Sequence, residues 1–523
     1  MDPVTKTNSI QARLAFAGTV LSVGIVTYLV IISIYRLWFH PLAKFPGPVI
    51  NRISWIPGVI WTLKGRTPME TRKLHDIYGP VVRLSPNELA FNTVQAWQDI
   101  YGHKLGRPDL EKDPIHVGSV DPVPGAQTIS MADRENHARQ RKALSHGFSK
   151  KALWEQEDIV QGFVDKLINR IHEYARTGEA FDIVRWYNFM TFDVIGDLAF
   201  GESFGCLERG EFHFWINLIF MAIKAGAIEQ ASRRFATPGS WLQIKIQQWC
   251  QGKLLRRQRA DHLVYSREKV MRRIQSKSDR KDFIYYILKQ GEHYDLSQNE
   301  VIVNAALFIV AGSETTASSL SALTMFLLKH PRCYKKVIEE VRNRFNSEDE
   351  ITLSAMQDLP YMNACLEEGL RLFPPAPIGF LRVIDAQGDV VDGHHIPGGT
   401  TVSVSSWCAS HSADNFKRPD EFIPERWLSE NTEFESDNKP ASRPFSLGPR
   451  SCIGKDLSYM EQRLALARLF WNFDLKNADD AHEWDTADNM KNMKAFSTWQ
   501  KPGLNVYVTD RKMAGSKYWK QQK

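Results

Sequence analysis

Cysteine is scarce in this chain: Cys206, Cys250, Cys333, Cys365, Cys408 and Cys452 are the only six in 523 residues, and no two stand close together. That spacing excludes a zinc ribbon and a disulfide framework, and it fits a reducing, cytosol-facing compartment. Charge of one sign is scarce as well. Against 66 Lys and Arg stand 60 Asp and Glu, a net charge of +6, with no basic tract interleaved with aromatics. Nucleic acid is therefore not an expected partner. Repeats, low-complexity tracts and a second linker are missing after about Asn51, so residues 51–523 read as one large domain. Charge is missing altogether from Leu14 to Tyr35. As a helix at ~1.5 Å per residue this run is about 33 Å long, enough to cross a bilayer. No small-residue cleavage site precedes Arg36, and the run exceeds the usual signal-peptide core, so residues 14–35 read as a transmembrane anchor behind a short segment 1–13. Residues 36–50 carry Pro41, Pro46, Gly47 and Pro48, which break helix and predict a stiff hinge.

The most informative stretch that is present is Phe445-Ser446-Leu447-Gly448-Pro449-Arg450-Ser451-Cys452-Ile453-Gly454. Gly448 permits a turn that side chains forbid, and Gly454 lets a flat cofactor approach the main chain. Arg450 supplies a cation. After Ile453, Leu457, Met460, Leu464 and Ala467 recur at helical spacing, which places Cys452 just before a helix N-terminus, where amide donors are expected to hold the thiol as thiolate. A thiolate so placed suits a haem iron, whose ligation by sulfur favours O–O bond cleavage. A buried cysteine at a helix start is the ordinary alternative, and it is the full run that argues against it. In that run the chain resembles the cytochrome P-450 family of haem-thiolate monooxygenases, matching every fixed position of its signature: Phe445, Gly448, Arg450, Cys452 and Gly454.

A second motif sits on a long helix. Ser297 and Glu300 form a capping box, and the helical pattern runs on to Pro331, roughly 50 Å at ~1.5 Å per residue. Val301 to Ala311 is apolar on nearly every face except Asn304, so this helix is expected to be buried. Ala311-Gly312-Ser313-Glu314-Thr315-Thr316 then places a glycine, an acid and two hydroxyls in mid-helix, where glycine costs about 1 kcal/mol relative to alanine. Glycine allows close approach of a ligand, and a threonine hydroxyl bonds the carbonyl one turn back or binds water. The resemblance implies that Ala311 and Gly312 lie over the haem, that Thr315 binds the oxygen ligand and water, and that Glu314 helps relay protons.

Glu368 and Arg371 stand three apart among Leu366, Leu370, Leu372 and Phe373, so a buried ion pair is expected. Arg426 in Pro424-Glu425-Arg426-Trp427 joins them in the network that the resemblance implies beneath the cysteine loop. Haem also carries two propionates, which require cations or strong donors where they leave the apolar pocket. Candidates are His137 and Arg141, four apart on one helix face, with Arg382 and Arg450. His137 departs from the tryptophan common in the family.

Helical patterns dominate the domain. Strand-like runs are few: Val81–Leu84, Leu89–Asn92, Leu381–Ile384, Val390–Val391, Thr401–Ser405 and Leu504–Thr509. The expected fold is mainly α, an α-rich α+β class with small peripheral sheets, and the resemblance implies the cytochrome P-450 fold with its long helix over the haem. Phe212 to Trp249 is rich in apolar residues, turns at Thr237-Pro238-Gly239, and is read as core with a share near substrate or membrane. Further pocket candidates are Ile115 to Ile129, Leu307, Phe308, Ala376 to Phe380, and Phe496 to Trp499. Arg134, Arg139, Lys142, Lys150, Lys151 and Lys455 are candidates for steering an acidic electron donor.

The expectation is a membrane-anchored enzyme with haem b on Cys452. It takes electrons from an NADPH-cytochrome reductase and inserts one atom of O2, by hydroxylation or epoxidation, into an apolar substrate. The runs Tyr78–Phe91, His137–Ser149 and Thr191–Leu207 resemble fungal secondary-metabolism branches, which implies a terpenoid, polyketide or alkaloid intermediate and the endoplasmic reticulum, with the domain facing the cytosol. The alternatives are a haem-thiolate isomerase or dehydratase acting without a reductase, against which the Gly-acid-Thr motif counts, and a non-catalytic haem or ligand carrier.

Overall fold

The structure is a computed structural model and describes residues 3–104, 106–117, 123–276, 278–291, 293–479, 481–486 and 490–512. Residues 1–2, residues 118–122 of the expected pocket loop and residues 513–523 lie outside the described residues.

The first helix, α1 (Pro3–Ile34), carries the expected apolar run. Arg13–Phe39 spans 27 residues at mean hydropathy 2.2 and its apolar window is not buried, so it is long and apolar enough to cross a membrane. The residues read as a stiff hinge are docked against the body. Leu42 and Phe45 are buried in a small cluster with Val81, Leu89 and Phe91. Arg83 lies fully buried and donates to the carbonyls of Arg36 and Leu42, while its own amide donates to Pro46 O at 2.7 Å. A Cβ on Gly47 would come within 2.6 Å of the Arg83 carbonyl. Proline removes backbone donors here, and the buried guanidinium satisfies the carbonyls that remain.

Beyond α2 (Ile56–Lys64) comes the main sheet. Val81–Ser85 pairs antiparallel with Glu88–Phe91, which pairs parallel with Thr401–Val404, whose other edge pairs antiparallel with Arg382–Val383. Every run expected as a strand is found within a residue or two. Phe181–Asp182, His394–Ile396, Phe473–Asn477 and two short segments near residues 494 and 500 join as strands the sequence did not announce.

The helical body is built from α3 (Arg134–Ser145), α4 (Ile183–Phe200), α5 (Phe214–Ser232), α6 (Trp241–Gln275), α7 (Gln298–Lys329), α8 (Pro360–Leu372) and α9 (Lys455–Asn472), with others between. Helix α7 is the expected long helix. Its capping box is formed, Ser297 Oγ accepting from Glu300 N at 3.2 Å and Glu300 Oε2 from Ser297 N at 2.8 Å. Its apolar faces are buried between α4 and α9. Gly312 also has a packing role: a Cβ there would sit 2.8 Å from Ile195 Cδ1 of α4. Asn304 is satisfied internally, accepting from Ile129 N at 2.8 Å and donating to Gln140 Oε1 at 3.0 Å, and so ties residue 129 over the centre of the fold.

Candidate active site

The cysteine run folds as a tight loop leading into α9. Cys452 N donates to Phe445 O at 2.9 Å, and Ser451 N to Gly448 O at 3.0 Å. Gly448 adopts φ +73°, and its missing Cβ would meet the Tyr101 carbonyl oxygen at 1.9 Å. The loop is therefore braced backbone to backbone from behind, and Gly448 supports the loop without lining the cavity in front of it. Gly454 forms the N-cap of α9 and does line that cavity. Arg141, on α3, donates to Ser451 O at 2.6 Å, holding the peptide next to Cys452.

The protein's own groups pull the Cys452 thiol in both directions. Cys452 has accessible surface only because it borders a cavity deep in the protein; burial pushes its thiol above the ordinary value, opposed by the Gly454 amide, Arg141 and Lys455. Helix-terminal amides alone do not outweigh desolvation here. A bound metal supplies the missing stabilisation by coordinating the sulfur directly.

In front of Cys452 lies a cavity with about 1360 Å³ of space not filled by atoms, its mouth included. One wall is the loop, with Phe445, Arg450, Cys452, Ile453 and Gly454; the facing wall is α7, with Leu307, Phe308, Ala311, Gly312 and Thr315. Ile129, Ala376 and Phe380 close the sides. Thr315 Oγ1 donates to Ala311 O at 2.6 Å, one turn back. Phe496, Thr498 and Trp499 line a neighbouring cavity instead.

Two cations on this cavity, Arg382 buried and Lys112 half-buried, have no acidic partner among the described residues. Arg382, 3 % exposed, makes only a long contact to the Leu381 carbonyl at 3.5 Å and packs its guanidinium 5.2 Å from the Tyr101 ring centroid. Lys112 Nζ donates to Ser130 O at 2.8 Å. Burial, and after it the mutual repulsion of Lys112, Arg382 and Arg450, pulls the Lys112 ammonium well below its ordinary range, and burial pulls Arg382 to about 10. Such a site lacks an anion, and the carboxylates of a haem fit it. Lys112 was not singled out from the sequence, where Leu110-Glu111-Lys112-Asp113 looks like any solvated charged run. Arg450 lines the cavity but is held by Asp109 Oδ2 at 2.7 Å and Glu111 Oε2 at 3.1 Å. His137 is buried behind this group; desolvation, then Arg450, Lys112 and Arg141, draw it to about 3.

Beneath the loop, the Glu368 carboxylate accepts from Arg371 Nε and Nη2 at 2.8 Å, Arg426 Nε at 3.0 Å, Ile423 N and Trp427 Nε1 at 2.9 Å. All three charged residues are fully buried. Arg426 has a second acid in Asp437; Arg371 has only carbonyls besides Glu368.

Glu314 does not line the cavity that Thr315 lines. Its carboxylate meets Lys501 Nζ, which also donates to Ser318 Oγ at 3.0 Å. The pair borders the neighbouring cavity, of about 880 Å³, together with Asn188 and Phe212. Burial pushes Glu314 up and Lys501 down, each toward its neutral form, while their contact opposes this. Glu314 Oε2 and Asn188 Oδ1 have no hydrogen-bond partner among the described residues. Lys501, 187 residues from its partner, left no local signal in the sequence. Of the candidate steering cations, Arg134 and Arg139 are engaged internally, by Asp385 and Glu300 respectively, because both lie on the inward edge of α3. Lys142, Lys150, Lys151 and Lys455 remain exposed.

Comparison with known proteins agrees with this geometry. The family described as Cytochrome P-450 matches residues 46–503. The chain is 44% identical over 500 residues to "Cytochrome P-450 monooxygenase aba2" of Botryotinia fuckeliana, covering 94% of this chain and 95% of that one. It is 42% identical over 487 residues to "Cytochrome P-450 monooxygenase astA" of Talaromyces wortmannii, covering 93% and 96%. To "Cytochrome P-450 monooxygenase astJ" of Aspergillus oryzae it is 41% identical over 475 residues, covering 90% and 92%.

Proposed function

The chain belongs to the cytochrome P-450 family and is a haem-dependent monooxygenase; from that premise we propose that it inserts one atom of O2 into an apolar terpenoid, polyketide or alkaloid intermediate. Electrons come from NADPH through a reductase. The observation that carries this reading is that Cys452 and Thr315 border one cavity from opposite walls, the rest of which is mainly apolar.

Haem b bound through the Cys452 sulfur supplies an electron-rich centre for oxygen activation. The chain's own residues do the remainder. Arg382 and Lys112 hold the cofactor's acid groups, and Arg141 with the Gly448–Tyr101 contact fixes the loop that presents the sulfur. Ile129, Leu307, Phe308, Ala376 and Phe380 exclude water and orient an apolar substrate. The Thr315 hydroxyl, released from Ala311 O, binds water and passes its proton into the cavity. Glu314 Oε2, unpartnered and with its affinity for protons raised, takes up protons from water in the adjoining cavity and hands them toward Thr315.

Membrane attachment at the endoplasmic reticulum, with residues 14–35 as a single-pass anchor and the body in the cytosol, is supported by a second apolar surface. Trp241 and Trp249 are 73 % and 85 % exposed, and Trp55 meets Phe235 at 4.5 Å between ring centroids, where α2 packs beside the turn leading to α6. Aromatics in that position suit a headgroup boundary. Lys142, Lys150, Lys151 and Lys455 give the reductase a basic landing face, and salt weakens such steering.

The decisive experiment supplies membranes containing this chain and a reductase with NADPH, isotopically labelled O2 and a panel of apolar metabolites, against Cys452→Ala. One labelled oxygen in a product, absent from the control, is expected. Conversion without label and without NADPH would replace this reading by the isomerase or dehydratase one.

A further inference from the structure

Where the anchor meets the body, four basic side chains gather and no carboxylate joins them. Arg36 directly follows the apolar run, Lys44 stands in the docked hinge, Arg52 on the short helix Val49–Ile53, and Arg83 on the strand Val81–Ser85. Arg36 and Arg52 clasp each other's backbone: Arg36 Nη1 donates to Ile53 O at 2.6 Å, and Arg52 Nη2 to Leu37 O at 2.9 Å and Ala43 O at 3.0 Å. Arg83 is spent on the carbonyls of Arg36, Leu42 and Pro86, and Lys44 lies over the ring of Phe45. None of the four has an acidic partner among the described residues. Burial, and after it the guanidiniums of Arg52 and Arg36, draw Arg83 down to about 10. Burial, Arg83 and Arg36 draw His40 to about 4, so it adds no charge at neutral pH. The arginines thus repel one another, with carbonyl dipoles as their sole compensation.

The cluster is also open on one side. Arg36 and Arg52 are half-buried; a guanidinium has five donors, of which Arg36 uses one, and Arg52 Nε has no partner among the described residues. Around them Tyr35, Trp38, Phe39, Val49 and Ile50 are exposed. Unspent planar donors without a counter-ion match a phosphate, and the apolar rim matches hydrocarbon attached to it. We propose that one anionic phospholipid binds here, its phosphate held by Arg36 and Arg52 with Lys44 at the edge and its acyl chains along Trp38, Phe39 and Ile50. The proposal rests on residues 14–35 being a membrane anchor, which sets Arg36 at headgroup level, where the cytosolic leaflet offers anionic lipid. The phosphate joins side chains from both ends of the hinge, so the bound lipid fastens the anchor to the body. A free phosphate would meet the same donors and leave the aromatic rim uncovered.

The test titrates phosphatidic acid or phosphatidylcholine into the delipidated full-length holoenzyme in detergent and counts retained lipid by native mass spectrometry. One phosphatidic acid per chain is expected, with phosphatidylcholine at least tenfold weaker. A basic side chain at a membrane surface strengthens such binding about fivefold. Arg36→Gln is therefore expected to weaken phosphatidic acid about fivefold, and Arg36→Gln with Arg52→Gln at least tenfold. Lys64→Gln, which removes an exposed charge from neighbouring α2, is expected to stay within twofold. Haem absorbance reports folding; if the paired variant loses haem, Arg36→Gln, which gives up a single carbonyl bond, carries the test. The proposal is overturned if the two lipids bind alike, or if Lys64→Gln weakens binding as much as Arg36→Gln, which would mark diffuse surface charge. It is also overturned if inorganic phosphate at the lipid's own concentration displaces it, which would mark a site for the free ion. A chain released from membranes by alkaline carbonate would overturn the anchor reading itself, whereas a chain that stays and shows no lipid preference overturns this proposal alone.

Discussion

Glu314 and Lys501 test the energetics and the chemistry of the site together. Their side chains are 4 % and 3 % exposed, and besides each other only Ser318 Oγ is within hydrogen-bond reach. Removing one partner of such a buried pair costs about 3–5 kcal/mol because a charge is left without compensation. Replacing both by apolar groups of similar volume is close to neutral. Glu314→Gln and Lys501→Met are therefore each expected to destabilise the fold by about 3 kcal/mol or more, and Glu314→Leu with Lys501→Met to recover most of it. Chains of this size unfold irreversibly, so the assay is the half-life of haem retention at fixed temperature. At ~1.4 kcal/mol per tenfold in rate, 3 kcal/mol shortens that half-life roughly 10²-fold where the pair opens before the barrier. Turnover separates the two roles: the double variant regains stability and not proton delivery, so its product yield per NADPH stays as low as that of Glu314→Gln. Single variants within twofold of wild type in half-life would refute the buried-pair reasoning. A double variant with wild-type coupling would refute the relay.

Glu368→Gln strands Arg371 with carbonyl partners only, whereas Arg426 keeps Asp437; a loss of about 3–5 kcal/mol is expected, read as faster haem release, and an unchanged release rate would contradict it. Gly448→Ala forces a Cβ into the Tyr101 carbonyl at φ +73°. Positive φ alone costs about 1–2 kcal/mol, and the clash with backbone adds to it. Haem content after purification should fall severalfold, and full occupancy would refute the bracing role. His75 and His116 are drawn by burial to about 4 and about 3. Above pH 6.5 both the folded and the unfolded chain carry them neutral, so their contribution is complete. Below 6.5 the unfolded chain binds protons that the fold refuses, and stability falls by about 1.4 kcal/mol per pH unit for each, until pH nears 4. Denaturant midpoints at pH 7, 6 and 5 should decline together, and a flat profile over that range would refute the assignment.

What the sequence revealed was local. The Phe445–Gly454 loop, the Ser297–Glu300 capping box and the Glu368–Arg371 pair all rest on residues within ten positions of one another, where chain geometry dictates who meets whom. Partners distant in sequence stayed hidden: Lys501 beneath Glu314, Tyr101 behind Gly448, and Lys112 beside Arg382, brought there by the bridge between those two segments. At Cys452 the amide donors are visible in sequence, and the depth of burial that opposes them is not. Gly312 was read for the ligand it faces, yet Ile195 on another helix uses the same space. The hinge prolines announced stiffness, and only the buried Arg83 showed that the segment is fastened down.

Tyr101 has a consequence beyond its place behind the cysteine loop. Its carbonyl abuts Gly448, its hydroxyl donates to Phe380 O at 2.9 Å and accepts from Val404 N at 3.0 Å, and its ring carries Arg382. One residue thereby keys the metal-bearing loop, a cofactor cation and a wall of the substrate chamber to a common reference. Diversification is channelled accordingly. A backbone shift at Phe380 tugs on the machinery as a whole, while Leu307, Phe308 and Ile129 reach the chamber from other elements.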